Sequence, residues 1–146
     1  MIYSSSELAT AAHYSNSRLF LNEIQRYEVP IVPKRNIKGS NQYDLADVVL
    51  ALALGELKTY GFSMAVAAEL IKRINLDVFN AHLDDFAIGA AHRLIICVPQ
   101  GTDLDGDFPT VVTSWADFVT FAETECINSI PLDLTDIVNA KIKGIF

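Results

Sequence analysis

The chain has 146 residues, of which 51% are apolar, and its formal net charge is −7. This length allows one medium domain or two small ones with a buried core, and the apolar content excludes a disordered protein. The longest apolar run, Val48 to Leu54, is far shorter than the ~20 residues of a membrane-spanning helix, and no signal peptide is recognisable. We therefore expect a cytoplasmic protein with no membrane partner.

The charges are unevenly distributed along the chain. Residues 1–75 contain eight Lys/Arg and seven Asp/Glu, whereas residues 76–146 contain three and eleven. The net charge is therefore +1 in the first part and −8 in the second. Such an asymmetry predicts two modules with different partners, so we expect one domain at 1–75 and a small acidic domain at 76–146.

Two short helices are predicted at the start of the chain. The pattern Ser4-Ser5-Ser6-Glu7 is that of a capping box and begins the first helix, which ends at His13-Tyr14. Ser15 is a suitable N-cap for the second helix, expected over about residues 15–28. The apolar residues of the second helix follow at helical spacing and are Leu19, Phe20, Ile24 and Tyr27. Two short helices joined by about three residues form a helix-turn-helix arrangement.

The next segment predicts a basic β-hairpin. Pro30 and Pro33 prevent continuation of the second helix. From there to Tyr43 the sequence contains short β-forming pieces around a basic turn that includes Gly39, which is typical of a hairpin wing. We expect this wing over about residues 31–43.

Two further helices complete the first domain. Asp44 can cap a third helix. A buried strand is the alternative for Val48 to Leu54, but the length and alanine content of the surrounding segment favour a helix. Gly61 would end that helix as a left-handed residue, and Ser63 would cap a fourth helix, from Met64 to Ile74.

The second domain is predicted to be a small α/β unit. We expect helices at 76–91, at 116–125 and from Asp133 or Thr135 to Gly144, and strands at 93–99, 110–114 and 127–132. An acidic turn at 101–106 separates the first two strands. The whole chain is therefore predicted to be α+β, with an N-terminal winged helix-turn-helix that is mainly α with a small β wing, followed by this α/β unit.

Calcium binding is one interpretation of the acidic turn and the residues beside it. Alternate carboxylates at Asp103, Asp105 and Asp107 can line a calcium loop. An EF-hand loop requires Gly at its sixth position and Glu at its twelfth, where this chain has Phe108 and Ser114. We therefore interpret the segment as a solvated turn.

The order of elements in the first domain resembles the MerR-like winged-helix regulators. The residues that carry the resemblance are Glu7-Leu8-Ala9, Pro33-Lys34-Arg35, Gly39 with Tyr43, Asp44-Leu45-Ala46-Asp47 and Tyr60-Gly61-Phe62-Ser63. The resemblance covers about half of the chain and implies a regulator of transcription that binds double-stranded DNA. Members of the family usually have glycine in the first turn, where this chain has His13, and a non-glycine residue there must tolerate strain or a different turn.

The candidate DNA-contacting residues lie in the second helix and in the wing. Arginine and asparagine on the exposed face of the helix can hydrogen-bond guanine and adenine, and the helix start can bind phosphate. The basic turn suits phosphate or minor-groove contact. The resemblance implies that Tyr43 donates to a phosphate, and packing on the core is the alternative. The candidates are Ser15, Asn16, Ser17, Arg18, Asn22, Arg26, Lys34, Arg35, Lys38, Asn41 and Tyr43.

No catalytic, metal-binding or cofactor-binding pattern is recognisable in the sequence. His13, His82 and His92 share no ligand or nucleophile–base spacing, and no phosphate-binding glycine loop or nucleophile elbow occurs. Cys97 and Cys126 lie in apolar sequence without metal-ligand spacing, as is typical of buried free thiols in a reducing compartment. We therefore expect no enzyme, no cofactor and no metal.

These observations predict a sequence-specific DNA-binding transcriptional regulator that acts as a homodimer. The acidic domain would supply dimerisation or contact a protein partner. Its aromatic residues Phe108, Trp115, Phe118 and Phe121 are typical of a core, with an interface and a ligand pocket as the second and third interpretations. Two alternatives stay open: an excisionase-like architectural DNA-binding protein, and a winged-helix protein-interaction module without DNA binding, since dedicated DNA binders are usually more basic.

Overall fold

The computed structural model describes residues 2–99, 110–124 and 129–142, which form an α+β protein. The chain divides into two compact units, Met1–Lys72 and Arg73–Phe146, three residues before the boundary expected from the charges. The described elements are α1 (Ser5–Ala11), α2 (Ser17–Arg26), β1 (Arg35–Ile37), β2 (Ser40–Gln42), α3 (Leu45–Thr59), α4 (Met64–Lys72), α5 (Leu76–Ala87), β3 (Ile95–Pro99), β4 (Thr110–Val112), α6 (Trp115–Thr124), β5 (Ser129–Asp133) and α7 (Thr135–Ile142).

The predicted start of α1 is confirmed, and that of α2 is displaced by one residue. Ser4 and Glu7 form a complete capping box, in which each side chain accepts from the backbone N–H of the other at 3.2 Å. At α2 the N-cap is Asn16 rather than Ser15. The Asn16 Oδ1 accepts from the N–H groups of Arg18 and Leu19 at 2.9 and 3.1 Å. The asparagine side-chain carbonyl reaches one bond further than a serine hydroxyl. It can therefore accept from two of the helix's first N–H groups, which have no partner within the helix.

The hairpin expected after α2 is present as β1 and β2. The two strands pair antiparallel, with Ile37 opposite Ser40, so that Lys38 and Gly39 form a two-residue turn. Both turn residues have positive φ, +54° and +82°, as in the type I′ turn whose twist matches that of the flanking strands. The Asn36 Oδ1 accepts from the N–H of Gly39 at 3.2 Å and fixes the turn.

Helix α3 is the central element of the first unit. It begins at a capping box between Asp44 and Asp47, and its residues 47–55 are all buried. A helix buried on every side is a core helix, and both α1 and α4 pack against it. The helix interpretation of residues 48–54 is therefore confirmed. Gly61, at φ +95°, ends α3 as expected.

The remaining helices differ from the prediction mainly at their ends. The Ser63 Oγ accepts from the N–H of Val66 at 3.3 Å at the start of α4, and α4 ends at Lys72 rather than at Ile74. Helix α5 ends at Ala87, four residues before the expected end. In the described part of the chain no helix has the length and apolar character needed to cross a membrane.

The second unit contains a three-stranded sheet in the order β4-β3-β5, and both of its pairings are antiparallel. The expected α/β unit is therefore an α+β unit, because an α/β unit is built on parallel strands joined by helical crossovers. Strand β3 is central, and its residues 95–98 are each at most 1% exposed. This burial on both faces explains why its sequence is a continuous apolar run.

A hydrogen-bonded cluster joins the end of β5 to the start of β3. Asp133 accepts from the Arg93 guanidinium at 3.2 Å and from the N–H of Thr135 at 3.0 Å, and the Thr135 hydroxyl also donates to it. The same hydroxyl accepts from the N–H of Leu94 at 3.1 Å. These bonds begin α7 at Thr135, one of the two predicted starts. The expected turn at 101–106, Asp107, Phe108 and Cys126 lie outside the described residues.

Candidate nucleic-acid interface

The turn between α1 and α2 sets the direction of α2. His13 has φ +64°, a left-handed conformation that glycine adopts more readily than other residues. Its N–H donates to the Thr10 carbonyl at 3.0 Å, and the N–H of Tyr14 donates to the Ala9 carbonyl at 2.8 Å. This pair of bonds is the Schellman pattern of helix ends. Of the two expected alternatives, strain or a different turn, the structure shows the strain of a non-glycine residue in the left-handed conformation.

The turn is fixed to the core by a close approach of α1 to α3. A Cβ atom on Gly55 would lie 2.7 Å from the Ala11 carbonyl oxygen, so only glycine permits this separation. One helical turn further along α3, the Thr59 hydroxyl lies 3.4 Å from Nδ1 of His13. The end of α1 and the turn therefore pack against α3 at Gly55 and Thr59.

Tyr14 extends this contact into α2. The Lys58 ammonium lies 3.9 Å from the centroid of the Tyr14 ring, a cation–π contact between α3 and the turn. The ring centroids of Tyr14 and Phe20 are 5.3 Å apart, within the range of favourable aromatic pairs. Since Phe20 is fully buried, α2 is anchored to the core through its first turn.

The exposed face of α2 carries three of the predicted DNA-contacting residues in one row. Arg18, Asn22 and Arg26 are exposed and are four residues apart, so they lie on one face of the helix. Phe20 and Ile24 are buried on the opposite side. The Arg26 guanidinium lies 5.2 Å from the centroid of the Tyr27 ring, which orients this side chain at the end of the row. We refer to Arg18, Asn22 and Arg26 as the α2 row.

Other candidates near the start of α2 have different environments. Ser15 and Asn16 are exposed, and Ser17 is half-buried. The Asn16 carbonyl is used as the helix cap. Leu19, which the apolar spacing assigned to the core face, is 51% exposed. That assignment is wrong because Leu19 precedes the buried Phe20 by about 100° around the helix and lies beside the α2 row.

In the hairpin, Lys34 has a partner that the sequence analysis did not identify. Its ammonium lies 3.2 Å from Oδ1 of Asp47, which is 2% exposed, and donates to the Val32 carbonyl at 3.2 Å. Burial raises the pKa of Asp47 to about 6, and the nearby Asp44 raises it too, while hydrogen bonding and Lys34 lower it. Part of the Lys34 charge therefore compensates a buried carboxyl group. The two residues are 13 positions apart in the chain, so the sequence carried no local signal for this pairing.

The remaining hairpin candidates are divided between exposed and packed positions. Arg35 and Lys38 are exposed, whereas Asn41 is half-buried and accepts from the Asn36 amide at 2.9 Å. Tyr43 is 2% exposed, and its backbone pairs with that of Tyr3 through two bonds of 2.9 Å. This burial favours the packing interpretation of Tyr43 over the phosphate contact. A cavity of about 370 Å³ at the base of the hairpin is lined by Ile2, Lys34, Arg35, Gln42, Tyr43 and Asp44.

The described part of the second unit contains no comparable row of cations. Trp115 is 43% exposed and makes an edge contact with Phe118 at 5.9 Å between ring centroids. Cys97 is fully buried, and this burial raises the pKa of its thiol to about 12. Such a thiol remains protonated near neutral pH and is a poor nucleophile. No group of His, Cys, Asp and Glu that could hold a metal ion occurs within residues 2–99, 110–124 and 129–142.

The sequence matches no protein-family model and shows no significant similarity to a curated protein.

Proposed function

We propose that the chain is a sequence-specific DNA-binding regulator of transcription that acts as a homodimer. The observation that carries the proposal is the α2 row. It lies on the exposed face of a helix whose opposite face packs into the core. Helix α2 would lie in the major groove with the row against base edges. The β1–β2 hairpin would act as a wing along the DNA backbone, as in the family that the sequence resembles.

The chemistry of the α2 row matches the groups displayed in the major groove. A guanidinium can donate two hydrogen bonds to N7 and O6 of guanine, and an asparagine amide can bond both N6 and N7 of adenine. Arg18 lies in the first turn of α2, the part of a recognition helix that usually contacts bases. We therefore assign Arg18 and Asn22 to base contacts and Arg26, at the helix end, to a base or a phosphate.

The hairpin would contribute electrostatic contacts that carry no sequence information. Arg35 and Lys38 are exposed on it and suit phosphate oxygens. Lys34 also compensates Asp47, so its contribution to phosphate binding is expected to be smaller. The wing therefore positions the protein while α2 reads the sequence.

Dimerisation is part of the proposal because a single helix reads only a few base pairs. Two symmetric copies on two half-sites multiply the specificity. The strongly acidic residues 76–146 would be repelled by phosphates. We therefore assign dimerisation or a protein contact to this part of the chain.

A protein-interaction module without DNA binding is the second candidate function. It is favoured by the charge of the first unit, where residues 1–72 contain seven Lys/Arg and seven Asp/Glu. Dedicated DNA-binding domains are usually clearly basic. In this case the α2 row would contact an acidic surface of another protein.

Selection from a random pool of duplexes, followed by anisotropy titration of the full chain, tests the proposal. We expect recovered duplexes to bind at about 50 mM salt and to weaken steeply by about 200 mM, with a measurable preference over unselected DNA. Arg18→Ala should cost about 1–3 kcal/mol on the selected sequence and little on unselected DNA. Arg73→Ala, which removes an exposed cation outside the interface, is the matched control. The absence of binding at low salt would favour the protein-interaction module instead.

A further inference from the structure

Leu19 is exposed at a position where the fold does not use it. Half of its surface is accessible, 51%, while Phe20 and Ile24 fill the core side of α2. An isolated exposed leucine is common in proteins and by itself requires no explanation. Leu19 is distinguished by its position beside the α2 row.

Leu19 lies in the first turn of α2, directly beside the α2 row. It follows Arg18 and precedes Asn22 by three residues, so its side chain adjoins that of Asn22 on the helix surface. Its backbone N–H is bonded to the Asn16 cap at 3.1 Å, which fixes the helix geometry at this residue. An apolar side chain therefore lies among hydrogen-bonding groups on the surface proposed to enter the major groove.

We propose that Leu19 recognises the C5 methyl group of thymine, which makes it a specificity-determining residue. This inference rests on the proposed function. Among the four bases, thymine presents a methyl group in the major groove, and this group is read by apolar contact. Because Asn22 adjoins Leu19, the contacted thymine lies next to an adenine in the preferred sequence.

Replacement of thymine by deoxyuridine tests the contact directly, because deoxyuridine keeps the base pairing and lacks the methyl group. Each thymine of the best selected duplex is replaced in turn, and the full chain is titrated against each duplex. We expect one position at which the wild-type affinity falls about fourfold, the factor that corresponds to one buried methyl group. Leu19→Ala should bind the thymine and deoxyuridine duplexes equally at that position.

Two further variants serve as controls for the effect of Leu19→Ala. Leu19→Met retains an apolar side chain and should keep the discrimination. Ile88→Ala removes an apolar side chain that is 79% exposed outside the first unit, and should also keep it. Circular dichroism of each variant verifies that the helices are intact.

The outcomes separate this inference from the proposed function. Salt-dependent, selective binding with no effect of deoxyuridine at any position overturns the role of Leu19 and leaves the proposed function standing. A deoxyuridine effect that persists in Leu19→Ala overturns it as well. Failure to select any duplex overturns both.

Discussion

Glu28 ends α2 in a backbone conformation that favours glycine. Its φ is +56°, its N–H donates to the Gln25 carbonyl at 3.3 Å, and the N–H of Val29 donates to the Ile24 carbonyl at 2.9 Å. These bonds are the same Schellman pattern that closes α1 at His13. For a residue with a side chain, the left-handed conformation costs about 1–2 kcal/mol.

Glu28→Gly is therefore expected to stabilise the protein. Part of the relieved strain is offset by the greater freedom of glycine in the unfolded chain, so we expect a gain of about 0.5–1 kcal/mol, measured by urea denaturation. Gly61→Ala is the matched control, because Gly61 has φ +95° and open space around a built Cβ, and it should lose about 1 kcal/mol. A loss of stability in Glu28→Gly would show that the carboxylate has a role that outweighs the strain.

Asp47 makes the stability of the protein depend on pH. Burial raises its pKa to about 6, above the value of about 3.9 for an unfolded chain. Between these values the folded chain holds a proton that the unfolded chain has released, so the contribution of Asp47 is full below about pH 4 and is lost as pH rises through about 6. A neutral side chain at this position would remove that dependence.

We expect Asp47→Asn to gain stability relative to the wild type as pH rises from about 3.5 to about 7, by about 2–3 kcal/mol. The amide oxygen can still accept from the N–H of Asp44, which keeps one bond of the capping box. Chemical denaturation of both proteins at a series of pH values measures the difference. Asp77→Asn, at an exposed position, is the control. A difference that is constant across this range would contradict the buried, titrating carboxyl group.

At the scale of elements, the hairpin allows its charge to be separated from its fold. Lys38 occupies a turn position with positive φ that asparagine adopts readily, and Asn-Gly is a preferred type I′ turn. Lys38→Asn should therefore preserve the hairpin and remove one of the proposed phosphate contacts. We expect the slope of log affinity against log salt to decrease by about 1, with the thermal midpoint unchanged or raised.

Lys72→Gln provides the comparison for this hairpin variant. It removes a cation at the end of α4, where Lys72 pairs with Glu69 at 2.9 Å, and should leave the salt slope unchanged. If Lys38→Asn and Lys72→Gln change the slope equally, the hairpin makes no particular phosphate contact and the effect is one of net charge.

The elements that the sequence predicted well are those with a local signal. The box at Ser4 and the cap at Asp44 involve residues three positions apart, and Gly61 ends a helix by its own backbone freedom. The cap at Asn16 was missed because Ser15 and Asn16 have nearly equal propensities, and their order is decided by the turn that precedes them. The pairing of Lys34 with Asp47 spans 13 residues and depends on how the hairpin folds back onto α3, which no local pattern encodes.

The candidate site shows the same division between local and tertiary information. The apolar spacing of the second helix left Arg18, Asn22 and Arg26 at exposed positions, and the structure shows all three exposed. The same spacing rule wrongly assigned Leu19 to the core, because a helix that is anchored mainly through Phe20 and Ile24 buries a narrow stripe. The contact between Gly55 and the end of α1 depends on the close approach of two helix backbones. A glycine inside a helical sequence does not indicate which other helix packs against it.

At the scale of the whole molecule, the charge distribution limits how strongly the chain would bind DNA under the proposed function. Residues 1–75 have a net charge of +1 and residues 76–146 have −8, so long-range attraction to phosphates is weak and opposed by the second part. A monomer would then bind weakly, and useful affinity would require two copies that engage two half-sites together. The proposed homodimer has a geometric consequence that can be measured.

Duplexes that carry two inverted copies of the selected sequence should bind much more tightly when the copies face the same side of the DNA. With centres about one helical turn apart, 10–10.5 base pairs, we expect an affinity at least about 100-fold above that of a single copy. Insertion of about five base pairs rotates one copy to the opposite face and should abolish the gain. Sedimentation of the complexes should give two chains per duplex in the first case. Equal affinity for both spacings, with one chain bound, would mean that the protein reads DNA as a monomer.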